Sequence, residues 1–128
     1  AAFEDALRYT SEREAFGKTI NHFQILQHYI ADMKTMIDAG RLLTYRAAWL
    51  EATGRPFSFE SAEAFLACSN IVHQVTDKGI QILGGYGYST EFDMERYWRD
   101  GRAFRISPLT SEMAKNFLAQ SLGMPRSY

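Results

Sequence analysis

Apolar positions recur at three- and four-residue steps along most of the chain, which is the spacing of an amphipathic helix. The longest run extends from Phe23 to Leu50 and leaves polar side chains on its other face. Its apolar or small positions are Phe23, Leu26, Ile30, Met33, Ile37, Gly40, Leu43, Ala47 and Leu50. Glycine inside a helix costs about 1 kcal/mol relative to alanine, so Gly40 predicts a close contact with a neighbouring helix. Gly54-Arg55-Pro56 ends the run.

A second long helix is predicted after this stop. Ser58 is a suitable N-cap, and Glu60 suits the positive end of the helix dipole. The stripe predicted to be buried is Ala62, Phe65, Leu66, Val72, Thr76, Ile80 and Leu83. The run Gly84-Gly85-Tyr86-Gly87 ends this helix.

Two shorter helices are predicted behind the glycine run. Thr90, followed three residues later by Asp93, indicates a helix that reaches about Phe104. The last helix is predicted to have Ser107 as its N-cap and Pro108 at its first position, where a missing N–H costs nothing.

The ends of the chain differ in character. Residues 1–15 are predicted to be helical, yet no capping residue precedes them. The stretch from Gly123 to Tyr128, with Pro125 inside it, has the pattern that follows the end of a helix. We therefore expect a C-terminal fragment of a longer protein, with its first helix truncated on the N-terminal side.

The predicted fold is an all-α antiparallel helical bundle that forms one domain over residues 1–128. No stretch alternates apolar and polar residues convincingly enough to predict a strand. No Asn-Gly or Asp-Gly turn lies between such stretches either.

Composition and charge exclude several classes of protein. Hydrophobic residues make up 46% and aromatic residues 14%, which excludes a disordered chain. A formal charge of −1 gives no sign of nucleic-acid binding, and no apolar run is long enough for a membrane span. A single cysteine, Cys68, excludes an intrachain disulfide and fits a reducing compartment. His22, His28 and His73 lack metal-ligand spacing with carboxylates, so no metal site is predicted.

Two segments contain residues that helix packing alone does not explain. One runs from Arg13 to Lys18 with Phe23-Gln24 behind it, and the other runs from Gln81 to Tyr88. Further short motifs stand in the same order: Ala31-Asp32-Met33, Arg99-Asp100 and Thr110-Ser111-Glu112. In order and spacing, this set resembles the C-terminal helical domain of the acyl-CoA dehydrogenase flavoprotein family.

The resemblance implies an oxidoreductase that uses FAD to dehydrogenate an acyl-CoA thioester between its α and β carbons. It also implies an electron-transfer partner or another electron acceptor, and a homo-oligomer, either a dimer or a homotetramer. The expected location is the cytoplasm or the mitochondrial matrix.

Taken alone, the candidate residues allow a second interpretation. The glycine run can be a helix stop and a turn, because it lacks the strand–turn–helix setting of a dinucleotide fingerprint. Arg13 can be a solvated charge or a guanidinium that holds a pyrophosphate. The resemblance implies the cofactor role, and it places Arg13 and the Gln81 segment against FAD bound mainly by the adjacent subunit. The implied FAD contacts are Arg13, Gln24, Gln81, Gly84, Gly85, Thr110 and Glu112.

One departure concerns the catalytic base. A carboxylate is needed to take the α-proton while hydride leaves to the flavin, and much of the family has Glu-Gly before Thr-Ser. Here Pro108-Leu109 precede Thr110-Ser111. Three accounts are open: a base on the first helix upstream of Ala1, an active site supplied by a partner subunit, or altered flavin chemistry. The alternatives to an enzyme are a non-catalytic subunit that scaffolds FAD in a hetero-oligomer and a helical interaction domain without a ligand.

Overall fold

The computed structural model describes residues 1–126, and within them the chain forms six α-helices and one short β-hairpin. The elements are α1 (Ala2–Glu12), β1 (Glu14–Ala15), β2 (Lys18–Thr19), α2 (Gln24–Ala52), α3 (Ser58–Leu83), α4 (Gly85–Tyr88), α5 (Met94–Ala103) and α6 (Ser111–Ser121). A 3₁₀ turn at Ile20–His22 joins β2 to α2. The predicted all-α bundle is confirmed. The last two residues of the predicted chain end, 127 and 128, lie outside the described residues.

Helices α2 and α3 pack along each other and form the centre of the bundle. Every position of the predicted α2 stripe is buried or half-buried. A Cβ on Gly40 would lie 3.1 Å from Ile71 Cδ1 and 3.3 Å from Cys68 Sγ, both on α3. The predicted close contact at Gly40 is therefore confirmed.

The core lies where α1, α2, α3 and α5 meet. Its buried members are Ala6, Met33, Val75, Ile82, Leu83 and Met94. Met33 and Met94 are the largest of its side chains that are fully buried. A Cβ on Gly79 would overlap Met94 Sδ, so the absent side chain leaves the space that Met94 fills. Helix α5 packs closely on α3 for this reason.

The front of the chain differs from the prediction. Helix α1 ends at Glu12 instead of Ala15, and residues 14–19 form a hairpin that was not predicted. Both central residues of its turn have positive φ, 55° for Phe16 and 77° for Gly17. Two consecutive residues in this conformation make the turn type whose twist suits a hairpin. Phenylalanine at the first turn position gave no sequence signal for it.

Three predicted helix starts are wrong. Helix α3 has Phe57 at its N-cap, so Ser58 is its first helical residue. Helix α5 begins at Met94 instead of Thr90. Helix α6 begins at Ser111, because the Thr110 hydroxyl accepts the N–H of Met113 at 3.2 Å. The predicted cap of α6, Ser107, donates its backbone N–H to Ala103 O and so belongs to the end of the preceding turn.

Candidate functional site

A groove with a volume of about 680 Å³ opens between the end of α1, the hairpin and the end of α3. Four of the seven predicted cofactor residues line it: Arg13, Gln81, Gly84 and Gly85. The structure thus brings together side chains and backbone from segments that are almost 70 residues apart in sequence. We call this the Arg13 groove.

Arg13 is fixed at its backbone and open at its side chain. It is the residue after α1, its N–H donates to Tyr9 O, and its carbonyl accepts the N–H of Ile20, both at 2.9 Å. The exposed guanidinium has its carbon 5.9 Å from the centre of the Tyr86 ring. No carboxylate of residues 1–126 lies within ion-pair distance of it. Its charge is available to a ligand.

The three glycines of the run serve different purposes. Gly84 ends α3 with φ +60° and ψ −135°, a conformation that favours glycine. A Cβ on Gly84 or Gly85 would meet nothing within 4 Å, so both backbones are open to the groove. A Cβ on Gly87 would lie 2.7 Å from Ile80 O. Gly87 is therefore required for packing of α4 on α3.

Gln81 lies on the last turn of α3, where its exposed side chain reaches the Arg13 groove. The two residues after it, Ile82 and Leu83, are buried in the core. This burial fixes the rotation of the helix end. The amide of Gln81 can both donate and accept hydrogen bonds toward a ligand.

Aromatic side chains make the walls of the groove. On one side, Tyr9 and Tyr86 line the groove, and both pack against Phe92 behind them, with ring centres 5.8 Å and 5.6 Å apart. On the other side, Phe16 packs edge-on against Phe23 at 6.1 Å. Phe16 is 94% exposed at the tip of the hairpin.

The groove is also lined by residues that were not among the predicted cofactor contacts, including Tyr9, Phe16, Phe23 and Glu91. Aromatic residues at helical spacing are indistinguishable from core residues in the sequence. The hairpin places Phe16 at the groove, and the segment between α4 and α5 places Glu91 there. Gly17, a residue type that readily adopts positive φ, is the sequence signal that could have indicated the turn of the hairpin.

The other three predicted cofactor residues do not line the Arg13 groove. Gln24 is exposed at the first position of α2, directly after Phe23, which does line it. Thr110 and Glu112 lie together at the start of α6, and Glu112 is exposed. The predicted residues therefore form two separate groups, with Gln24 at the edge of the first.

The Arg13 groove has the groups that a dinucleotide such as FAD requires. A guanidinium offers a planar fork of donors to a diphosphate. Two glycines without a Cβ neighbour leave room for a phosphate or a ring to approach the backbone. Tyr86 and Phe16 add exposed aromatic surface. These residues fit the cofactor that the family resemblance implies.

The predicted position of the base carries no acid. Pro108 is exposed in the loop between α5 and α6, with Ile106 and Leu109 exposed on either side of it. The Arg105 carbonyl at the start of this loop accepts the N–H of Ser111 at 3.2 Å. No side chain from 106 to 111 can accept a proton as a carboxylate does.

Residues 1–126 contain no group of three or more His, Cys, Asp or Glu side chains that could hold a metal ion. None of the helices in this part of the chain combines the length and apolar character that a bilayer crossing requires.

Comparison with known families gives a match over almost the whole chain. The family model described as "Acyl-CoA dehydrogenase, C-terminal domain" matches residues 1–123. The mitochondrial short-chain specific acyl-CoA dehydrogenase of Rattus norvegicus is 42% identical over 122 residues, which cover 95% of this chain and 30% of that protein. The chain therefore spans about a third of the length of such relatives.

Solved structures agree in fold. Butyryl-CoA dehydrogenase from Megasphaera elsdenii matches with a TM-score of 0.93 and 36% identity, over 96% of this chain and 32% of that one. A chain in a structure described as an electron transferring flavoprotein of Acidaminococcus fermentans matches with a TM-score of 0.92 and 39% identity, over 94% and 32% respectively.

Proposed function

Since the chain belongs to the acyl-CoA dehydrogenase family, we propose that it is the C-terminal domain of an FAD-dependent enzyme that dehydrogenates an acyl-CoA thioester. The observation that supports this most is the placement of Arg13, Gln81, Gly84 and Gly85 around one groove. FAD, when bound, supplies the acceptor for the hydride that leaves the β-carbon.

The residues of the Arg13 groove would hold the adenosine diphosphate part of FAD. Arg13 would pair with the pyrophosphate through its free donors, because no carboxylate of the described chain competes for them. Gln81 would hydrogen-bond the same part of the cofactor, and Gly84 and Gly85 would let it approach the backbone. Gln24 would contact the flavin from the start of α2.

The second group of residues supports a homo-oligomer. Thr110 and Glu112 lie at the start of α6 and do not line the Arg13 groove. We assign them to the FAD held mainly by the same subunit, and the Arg13 groove to the FAD of a neighbouring subunit. Each cofactor would then need two copies of the chain, in a dimer or a tetramer.

The α-proton would be taken by a carboxylate outside this chain. Proline at 108 has no proton acceptor, and Glu112 is assigned to the cofactor. We place the base on the protein segment that precedes Ala1. An electron-transfer partner would reoxidise the enzyme, in line with the description of one structural neighbour. The location would be the cytoplasm or the mitochondrial matrix.

A second candidate function is a non-catalytic subunit that scaffolds FAD, or a flavin enzyme with altered chemistry. The observation that favours it is the pair Pro108-Leu109, where much of the family has Glu-Gly. Reduction of the bound flavin by an acyl-CoA distinguishes the two candidates.

The cofactor assignment is tested by FAD titration of the deflavinated full-length protein. Arg13→Gln and Gln81→Ala should each weaken FAD binding about tenfold or more, because charge-assisted and polar contacts to the cofactor are lost. Arg8→Gln, one turn earlier on α1, and Gln74→Ala, two turns earlier on α3, are matched controls outside the groove. Equal FAD affinity in all four variants would contradict the assignment.

A further inference from the structure

We propose that Tyr86 is a positioning residue that orients the guanidinium of Arg13 toward the cofactor diphosphate. The proposal deepens the proposed function and rests on it. Its basis is a closed loop of contacts beside the Arg13 groove, which joins three separate segments of the chain.

This loop of contacts begins and ends at Arg13. Its guanidinium lies 5.9 Å from the Tyr86 ring centre, and Tyr86 lies 5.6 Å from Phe92 with a tilt of 60°. Phe92 meets Tyr9 edge-on at 5.8 Å and 86°. The Tyr9 carbonyl then accepts the backbone N–H of Arg13 at 2.9 Å. The backbone and the side-chain end of Arg13 are therefore held by the same small cluster.

Cation–π attraction suits this purpose because it leaves the N–H donors of the guanidinium unused. An arginine side chain otherwise loses substantial rotamer freedom when it binds a ligand. A guanidinium already held over Tyr86 loses less of that freedom, so part of the ordering precedes binding. The expected gain is in cofactor affinity.

The chain offers two matched comparisons for this contact. The Tyr86 hydroxyl has no hydrogen-bond partner among residues 1–126, so Tyr86→Phe keeps everything that the contact uses. Tyr88 lies two residues later, is 83% exposed, and has no aromatic or cationic partner in the described part of the chain. Tyr88→Leu therefore controls for loss of a tyrosine from the same one-turn helix.

The test is FAD titration of deflavinated full-length protein, followed by flavin fluorescence. Tyr86→Leu should weaken FAD binding about two- to fivefold, the range of an exposed cation–π contact. Tyr86→Phe and Tyr88→Leu should bind FAD as the natural protein does. In the Arg13→Gln background, Tyr86→Leu should cause no further loss, because the group that it orients is already gone.

Each contrary result has its own meaning. If Arg13→Gln weakens binding and Tyr86→Leu does not, the positioning role is wrong and the cofactor assignment stands. If Tyr86→Leu weakens binding equally with and without Arg13, Tyr86 acts on the cofactor or on the fold, and the positioning role is also wrong. If Arg13→Gln itself has no effect, both the cofactor assignment and the positioning role fail. Thermal unfolding of the flavin-free variants separates a loss of fold from a loss of contact.

Discussion

The Tyr97 hydroxyl donates a hydrogen bond of 3.2 Å to Asp5 Oδ2, and so joins α5 to α1 across 92 residues of sequence. Asp5 also accepts from Arg8 Nη2 at 2.8 Å on its own helix. Helix α1 leads directly into Arg13. The bond therefore ties the element that precedes the groove to the element that follows the glycine run.

Tyr97→Phe tests how much this tie contributes. The variant keeps the ring and removes the donor, so the full-length protein should lose about 1 kcal/mol of unfolding free energy, the net contribution of one hydrogen bond. Tyr88→Phe, at an exposed position, is the control and should change nothing. Urea unfolding measures both, and equal midpoints for the two variants would show that the bond is immaterial.

The contact between Tyr97 and Asp5 also makes the stability of the protein depend on pH in the alkaline range. Burial, and then the negative charge of Asp5, raise the pKa of Tyr97 above the ordinary tyrosine value. The stabilisation is therefore complete below the unfolded-state pKa of about 10 and decreases as pH rises through the higher folded-state pKa. The difference in unfolding free energy between the natural protein and Tyr97→Phe should therefore decrease as the pH rises above about 10. A difference that stays constant up to the alkaline limit of folding would refute the assignment.

Gly85 and Gly87 should respond differently to alanine. Gly85 has open space where a Cβ would stand, so Gly85→Ala should alter stability by less than about 0.5 kcal/mol and weaken FAD binding. Gly87 faces the backbone of Ile80 at 2.7 Å, and Gly87→Ala should cost about 1–3 kcal/mol through overpacking. Thermal unfolding without flavin and FAD titration separate the two effects. A loss of stability in Gly85→Ala together with a loss of FAD binding alone in Gly87→Ala would contradict both assignments.

The bundle was predictable because its long helices repeat one pattern many times. Every predicted position of the stripe from Phe23 to Leu50 is buried or half-buried, since helical spacing alone places these residues on one face. The hairpin was missed because its turn depends on the conformation of Phe16, a residue type that gives no hairpin signal. The start of α6 was placed at Ser107 because Ser-Pro is a strong local signal. The hydroxyl of Thr110, three residues later, makes the actual cap.

Four of the seven predicted cofactor residues line the Arg13 groove, but the sequence did not predict that they would lie together. Arg13 and Gln81 stand in motifs, so a resemblance could identify them. Their meeting in one groove depends on how α1 and α3 end, and spacing along the chain does not contain that information. The same holds for Tyr86, whose contact with Arg13 is visible only once both segments are placed.

The 128-residue chain alone should bind FAD weakly. It supplies the Arg13 groove and, at a separate place, the start of α6. Each of these would be only part of a complete cofactor site. Calorimetry of the isolated chain should find no binding in the micromolar range, provided that circular dichroism shows a folded bundle. Micromolar or tighter affinity would show that the site needs neither the upstream segment nor a neighbouring subunit.

Pro108→Glu tests whether the catalytic base lies outside the α5–α6 loop. With a carboxylate already supplied from the segment before Ala1, a second one nearby would raise one of the two pKa values by like-charge repulsion. It would also place a charge that must be desolvated. Acyl-CoA turnover by the full-length variant should therefore stay equal or fall. Turnover that appears only after the substitution would place the missing base in the α5–α6 loop.

Anaerobic titration of the full-length natural protein with a panel of acyl-CoA thioesters decides whether the protein is an acyl-CoA dehydrogenase. We expect the purified protein to carry FAD and a suitable acyl-CoA to remove its oxidised-flavin absorbance. A protein that carries FAD and keeps that absorbance across the whole panel would contradict a dehydrogenase and favour the scaffolding subunit. A protein that neither carries nor takes up FAD would contradict the cofactor role of the Arg13 groove as well.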